Sequence, residues 1–376
     1  MEDTALYVHI PFCDHKCIYC DFYSIITSDN IDNFLTALKK EIEFYSPKYS
    51  SGRFFSSIFF GGGTPSLMQP DYIGNIISIL KDNFIIAGNA EITMETNPGT
   101  VDKNKLEMFR KVGINRLSFG VQSFHNDELK FLTRIHDKDT AIQAVNDAND
   151  IGFENINIDL IFNLPKQTKE KWKYNLETAV SLPLKHISAY SLILERGTIL
   201  NKMVLDGKVT LQDNDYDAEL HEMTIDFLTA SGFDQYEVSN FARPGFECRH
   251  NNAYWRYNEY LSFGPSAHSF ADNKRWWNYS SLKHYISEIE KNGLAQANFE
   301  LLSDEQRFNE YVMLALRSKG IDQTDFQKRF GVNWLEKNKD NFKSFVDGNF
   351  IEIKKDFIRF TKNGYAICDE ILSKLL

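Results

Sequence analysis

Three cysteines, Cys13, Cys17 and Cys20, stand in a C-x3-C-x2-C pattern inside the segment HIPFCDHKCIYCDF. Thiolates are soft ligands, and three of them can take three corners of a 4Fe-4S cube while the fourth iron keeps no protein ligand. A zinc ion completed by His9 or His15 would use the same residue types, so both metal readings stand at this point. The chain has 5 cysteines, an odd number, and MEDTALYV shows no basic stretch before an apolar core. The expected compartment is therefore the reducing cytosol, where a disulfide framework is disfavoured.

Two further segments carry chemistry. FFGGGTPS, Phe59–Ser66, has glycines that let backbone approach a ligand closely and present its amides and carbonyls, although a bare turn has the same composition. RHNNAYW supplies His250, Asn251, Tyr254 and Trp255. An imidazole beside Tyr and Trp can ligate haem iron while flat rings cover the macrocycle; an aromatic mini-core with a hydrogen-bonded His250 reads the same way. Cys248 and His268 are rival ligands, and no CxxCH exists for covalent haem attachment.

The elements that must position these residues alternate. LYVHI, SSIFF, EITMETN, RLSFGVQ, NINIDLIF and HISAYSLIL read as strands, interleaved with amphipathic segments at 31–46, 70–84, 102–112, 125–133 and 168–181. Strand-helix alternation implies a parallel sheet, and Gly-, Pro- or Asn-rich strand exits suit a complete or partial α/β barrel. The strands are split in polarity. Glu91, Thr93, Glu95 and Asn97 oppose Ile92 and Met94; Arg116, Ser118, Gly120 and Gln122 oppose Leu117, Phe119 and Val121. Asn155, Asn157 and Asp159 oppose Ile156, Ile158 and Leu160, and His186, Ser188 and Tyr190 oppose Ile187 and Ala189. If helices cover the apolar faces, the polar faces converge on a lumen that must hold a polar ligand, because unpaired polar groups are costly to keep dry.

After residue 195 the rhythm breaks: a helix is expected at 212–231, then irregular structure through FDQYEVSNFARPGFECRHNNAYWRYNEYLSFGPSAHSF. The end of the chain, FVDGNFIEIKKDFIRFTKNGYAICDEIL, suggests a winged-helix-like module. Three parts are expected: a partial barrel over 1–200, a barrel extension with the aromatic segment over 201–295, and the winged-helix-like part over 296–376. A formal net charge of -10 argues against nucleic acid as a partner. A zinc-bound nucleic-acid module, which the tail alone would suggest, fits poorly with that charge and with a polar lumen. No apolar stretch reaches the roughly 18 residues of a membrane span.

CxxxCxYC after the first strand and GGGTP after the second resemble the radical S-adenosylmethionine (SAM) superfamily. There the unique iron of a 4Fe-4S cluster chelates SAM, and reductive cleavage gives a 5'-deoxyadenosyl radical. YVHIPFC, ETNPGT, LSFGVQSF, NIDLIFNLP and YEVSNFA resemble the branch holding oxygen-independent coproporphyrinogen III dehydrogenases and HemW-type haem chaperones, over most of the chain. The fold so implied is α/β, a partial (β/α)6 barrel with a mainly helical, winged-helix-like C-terminal domain. The resemblance implies that Tyr7 and Tyr19 pack beside cluster and SAM, that Gly62, Gly63 and Thr64 meet the methionyl end, and that Glu95 and Gln122 hydrogen-bond SAM. It further implies that Arg134 pairs with a carboxylate and that Asp159 accepts from the ribose hydroxyls. Glu95, Gln122 and Asp159 also lie on the polar faces read independently above.

Two features separate the relatives. The dehydrogenases extend the motif to CxxxCxxCxC, whereas here Cys20 is followed by Asp21 and Phe22; and RHNNAYW matches the HNxxYW signature of the haem chaperones. Asn163 stands where the family commonly has Gly before Leu-Pro, which leaves that turn open. The expected function is thus a haem chaperone that binds a 4Fe-4S cluster, SAM and haem as cargo and delivers haem to apo-haemoproteins, with His250 as candidate axial ligand. Expected partners are respiratory-chain apo-haemoproteins and an electron donor such as flavodoxin or ferredoxin; a homodimer and peripheral membrane association remain open. The rival is an enzyme that oxidatively decarboxylates porphyrinogen propionates.

Overall fold

The structure, a computed structural model, describes residues 2–27, 29–332 and 334–376. Six strands pair in parallel in chain order: β1 (Glu2–Ile10), β2 (Arg53–Gly62), β3 (Ile86–Thr96), β4 (Arg116–Gln122), β5 (Asn155–Phe162) and β6 (His186–Ser191). The crossovers carry α1 (Ile31–Tyr49), α2 (Pro70–Asn83), α3 (Lys103–Lys111), α4 (Asn126–Phe131), α5 (Lys138–Asp150) and α6 (Lys169–Ser181). Asp102, Asp137 and Thr168 start α3, α5 and α6 by accepting the backbone N–H of the third helical residue. The sequence pattern shows all six of these strands but misses α5, whose buried face, Ala141, Ala144, Val145 and Ala148, is mostly alanine and only weakly apolar. The outer faces, including Val8, Phe60, Met94, Phe119, Ile158 and Ile187, pack on Phe34, Ile77, Phe109, Val145 and Trp172 in one continuous core. This is the partial (β/α)6 arrangement that the resemblance implies, and one of the two barrels, complete or partial, that the alternation allows.

Beyond β6 come α7 (Ile199–Leu205), α8 (Asn214–Ala230), and the short strands β7 (Asp234–Gln235) and β8 (Asn240–Ala242), of which β8 runs antiparallel to β6. After α9 (Arg249–Trp255), the chain returns to the opposite edge, where β9 (Tyr260–Phe263) pairs in parallel with β1. β10 (His268–Ala271), β11 (Lys274–Asn278) and β12 (Gln296–Leu301) continue antiparallel, with α10 (Leu282–Asn292) between the last two. The stretch expected to be irregular thus holds four short strands and a helix. These strands have two to four residues each, too few to show a period of two.

A buried carboxylate fastens this extension to the barrel. Glu41 of α1, 0% exposed, accepts from Gly264 N at 2.9 Å, Asn278 Nδ2 at 2.6 Å and Tyr285 OH at 2.6 Å. Farther on, α11 (Asp304–Leu316) precedes a three-stranded sheet, β13 (Ile321–Asp322), β14 (Ile351–Lys354) and β15 (Phe357–Phe360), in the order β13-β15-β14. A second core of Tyr311, Leu316, Phe326, Trp334, Phe342, Ile358 and Ile371 holds it to the surrounding helices. Among the described residues, no helix is long and apolar enough to cross a membrane.

Candidate functional site

The three cysteines sit on the loop that leaves β1. Ile25 N donates to Pro11 O at 2.8 Å and Cys13 N donates to Ile25 O at 3.0 Å, pinching the loop at its base so that the residues between arch outward. Ile18 ties the arch to the barrel on two sides, donating to Thr133 Oγ1 at 3.2 Å and accepting from Leu200 N at 2.9 Å. All three cysteines are free thiols and only partly buried. Cys13 Sγ is 3.2 Å from Thr64 Oγ1, and Arg134 Nη1 approaches Cys17 Sγ at 3.5 Å.

His9 braces this arrangement from below. It is 4% exposed, with Nε2 at 2.9 Å from Tyr23 O and Nδ1 at 3.2 Å from Tyr7 OH. A Cβ on Gly62 would meet the His9 ring at 2.7 Å, and one on Gly63 would meet Phe12 O at 2.5 Å. The glycine run is therefore a close approach of backbone to the cysteine loop.

Beside the loop opens a cavity of about 640 Å³, which runs from Phe22 and Ile193 at its rim down between the strands. Tyr7, Tyr19, Cys20, Gly62, Gly63, Thr64, Glu95, Gln122, Arg134 and Asp159 all line it, as do His250, Asn251 and Tyr254. Cys13 and Cys17 border an adjoining recess that shares Tyr19, Gly63, Thr64 and Arg134 with it. Of the residues singled out in the sequence, Trp255 does not line the cavity. The inward polar faces meet here as expected: Asn157 Nδ2 donates to Ser118 Oγ at 2.7 Å, Asp159 Oδ1 at 2.8 Å and Ser188 Oγ at 3.1 Å. Asn163 has φ 61°, the left-handed conformation that Gly and Asn take most readily, so the replacement preserves the turn.

Two carboxyl groups face this lumen, Asp159 with hydrogen bonds from Asn157 and Ser118 and Glu95 with far less to balance its burial. Burial and then the neighbouring Asp159 push the Glu95 pKa up to about 8, against one hydrogen bond from Gly62 N at 3.2 Å. Burial likewise raises Asp159. A cationic ligand placed between them would lower both, so the site favours a sulfonium or ammonium group. Near the cysteines the preference reverses, because Arg134, which donates to Gly120 O at 2.7 Å, keeps its buried Nε without a partner. An anionic group would satisfy it. The cavity is thus matched to a zwitterion whose anionic end lies toward the cysteine loop. Among the described residues, no three His, Cys, Asp or Glu side chains converge where a single ion would sit. Three free, partly buried thiols on one loop are a donor set suited to three irons of a 4Fe-4S cluster.

α9 closes the bottom of the lumen. Glu91 Oε1 accepts from Arg249 N at 3.0 Å and His250 N at 3.4 Å, capping the helix from β3. His250 is 2% exposed, with Nδ1 at 3.1 Å from Ser57 Oγ and Nε2 at 2.9 Å from Tyr254 OH. Phe59 stacks on its ring at 4.9 Å. Burial, then Arg116, pushes the imidazole pKa down to about 3, so the ring is neutral and both nitrogens are engaged. Cys248, 0% exposed, is packed under Tyr236 and Phe59, whereas His268 is exposed and stacks on Trp277. Sequence reasoning missed the partners Ser57 and Glu91, nearly 200 and 160 residues away from His250, and the rim residue Ile193. Exposed, apolar and next to a strand end, Ile193 carries a signal only in hindsight of the fold.

The fold and this site define a class, α/β proteins of the radical SAM type, and residues 7–179 match the radical SAM superfamily model while residues 302–367 match the HemN C-terminal domain. The chain is 32% identical to heme chaperone HemW of Bacillus subtilis (strain 168), covering 99% of both. It is 34% identical to heme chaperone HemW of Mycobacterium tuberculosis (strain ATCC 25618 / H37Rv), over 100% of this chain and 95% of that one. The structure of coproporphyrinogen III oxidase (HemN) from Escherichia coli, a radical SAM enzyme, superimposes with a TM-score of 0.84 at 25% identity, covering 100% of this chain and 90% of that one. The chain belongs to the HemW family within the radical SAM superfamily.

Proposed function

We propose that this protein is a haem carrier that binds a 4Fe-4S cluster, SAM and haem and hands haem to apo-haemoproteins, respiratory enzymes among them. The observation that carries this reading is full-length similarity to relatives named heme chaperone, joined to an HNxxYW helix on the lumen floor. Cys13, Cys17 and Cys20 would hold the cluster. SAM would lie in the lumen, its carboxylate at Arg134, its methionyl end along Gly62, Gly63 and Thr64, and its sulfonium toward Glu95. Gln122, Asp159, Tyr7 and Tyr19 would complete its walls. When bound and reduced, the cluster supplies an electron for SAM cleavage. The working parts are 1–200, 201–295 and 296–376, the protein acts in the cytoplasm or at the inner face of a membrane, and a flavodoxin- or ferredoxin-type donor supplies electrons. Pairing into homodimers is a further element of the proposal.

His250 is the proposed axial ligand, and its Nε2 must exchange the Tyr254 hydroxyl for iron. Haem titration into wild type and His250→Ala tests this: weaker binding and an altered Soret band are expected, and unchanged affinity and spectrum would sink the assignment. The likeness to coproporphyrinogen III oxidase favours a second reading, radical decarboxylation of coproporphyrinogen III. Reduced, reconstituted protein given SAM and that substrate yields protoporphyrinogen under the second reading and none under the first.

A further inference from the structure

At the level of the lumen below the residues assigned to SAM and near His250, the proposed function gives no role to the polar side chains of the barrel wall. Thr93, Arg116 and Asn155 are register neighbours across β3, β4 and β5, on the inner face. Each keeps a buried polar atom without a hydrogen-bond partner: Thr93 Oγ1, Arg116 Nε and Asn155 Oδ1. Arg116 is 2% exposed and Thr93 0%. Glu91 Oε2 stands 3.9 Å from Arg116 Nε, an ion pair too long to be a hydrogen bond. A guanidinium has donors only and stays charged, so burying it with its Nε unpaired is expensive unless something fills the space. Of the three, Arg116 lines the cavity that opens at Phe22 and Ile193, so a solute can reach it from the rim, and Thr93 stands in the wall next to it.

We infer that this layer is an anion subsite in which Arg116, with Thr93 beside it, holds a carboxylate group. The guanidinium fork matches a planar carboxylate, and the Thr93 hydroxyl supplies a further donor. Asn155 Oδ1 accepts from water that accompanies the anion. The carboxylate has two possible sources: a free small carboxylate, or the carboxylate arm of a larger ligand such as a tetrapyrrole propionate. Only the second source rests on the haem-carrier reading.

The test is calorimetric titration of the full chain with sodium propionate at constant ionic strength, in wild type, Arg116→Lys and Thr93→Val. Lysine keeps the charge opposite Glu91 but loses the fork, and valine keeps the threonine shape, so at least one variant should fold as wild type does. The inference expects saturable binding to wild type, weakened roughly tenfold or more in Arg116→Lys and about fivefold in Thr93→Val. Absence of saturable binding to wild type, or wild-type affinity in both variants, overturns it. A second arm compares haem with haem dimethyl ester. Loss of affinity for the ester in wild type but not in Arg116→Lys assigns the site to a propionate arm; equal affinity for both haems assigns it to a free carboxylate.

Discussion

Replacing Glu95 by Gln should stabilise the ligand-free protein while weakening SAM binding, and the stability gain should depend on pH. The folded-state pKa is raised from 4.5 to about 8, so the folded protein keeps a proton that the unfolded chain releases. For such a group, stability is fully present below the unfolded pKa and is lost as pH rises through the folded one. Wild type therefore loses stability between pH 4.5 and about 8. Each pH unit across that window is worth about 1.4 kcal/mol, which sets an upper bound of roughly 3 kcal/mol at pH 7. Water in the open cavity screens part of this, leaving an expected gain of about 1–3 kcal/mol. Glutamine still accepts from Gly62 N and does not titrate. Urea unfolding of cluster-free wild type and Glu95→Gln at pH 5, 6, 7 and 8 should give curves that nearly coincide at pH 5 and separate progressively above it. A pH-independent difference, or a variant less stable at pH 8, would refute the reasoning.

Glu41→Ala should cost about 3 kcal/mol or more, because it removes the buried acceptor of Gly264 N and Tyr285 OH and one of the two acceptors of Asn278 Nδ2, which keeps Gly264 O; hydrogen exchange should then rise first in β9–β12 and α10. Cys17→Ala should lower iron and sulfide retained after anaerobic reconstitution while leaving the far-ultraviolet circular dichroism unchanged, since the thiol lies on the outward arch and not in the core. Tyr254→Phe frees His250 Nε2 from its 2.9 Å partner, so if that nitrogen meets haem iron, haem affinity should rise roughly fivefold in a haem titration.

The barrel was legible because its strands carry two messages at once. Ile92 and Met94 against Glu91, Thr93 and Glu95 give both the helix-covered face and the lumen, and the same split on β4, β5 and β6 points every polar face inward. The cysteine loop and GGGTP were legible as local spacing. What stayed hidden depends on contacts between distant segments. Glu41 looks like one more charge on an amphipathic helix until Gly264, Asn278 and Tyr285 meet it, more than 220 residues away. His250 looks like an available ligand until Ser57 and Tyr254 take both ring nitrogens. The strands β7 to β10 are built on neighbours rather than on their own pattern, since two to four residues cannot announce a face.

The most direct test of the haem-carrier account is a transfer assay. Cluster-reconstituted protein is loaded with haem, freed of excess, and mixed with an apo-haemoprotein while absorbance follows the haem. The account predicts that haem remains bound to the carrier alone and moves to the apo-protein on mixing. No retained haem, together with conversion of coproporphyrinogen III to protoporphyrinogen by the same preparation with SAM and reductant, would contradict it.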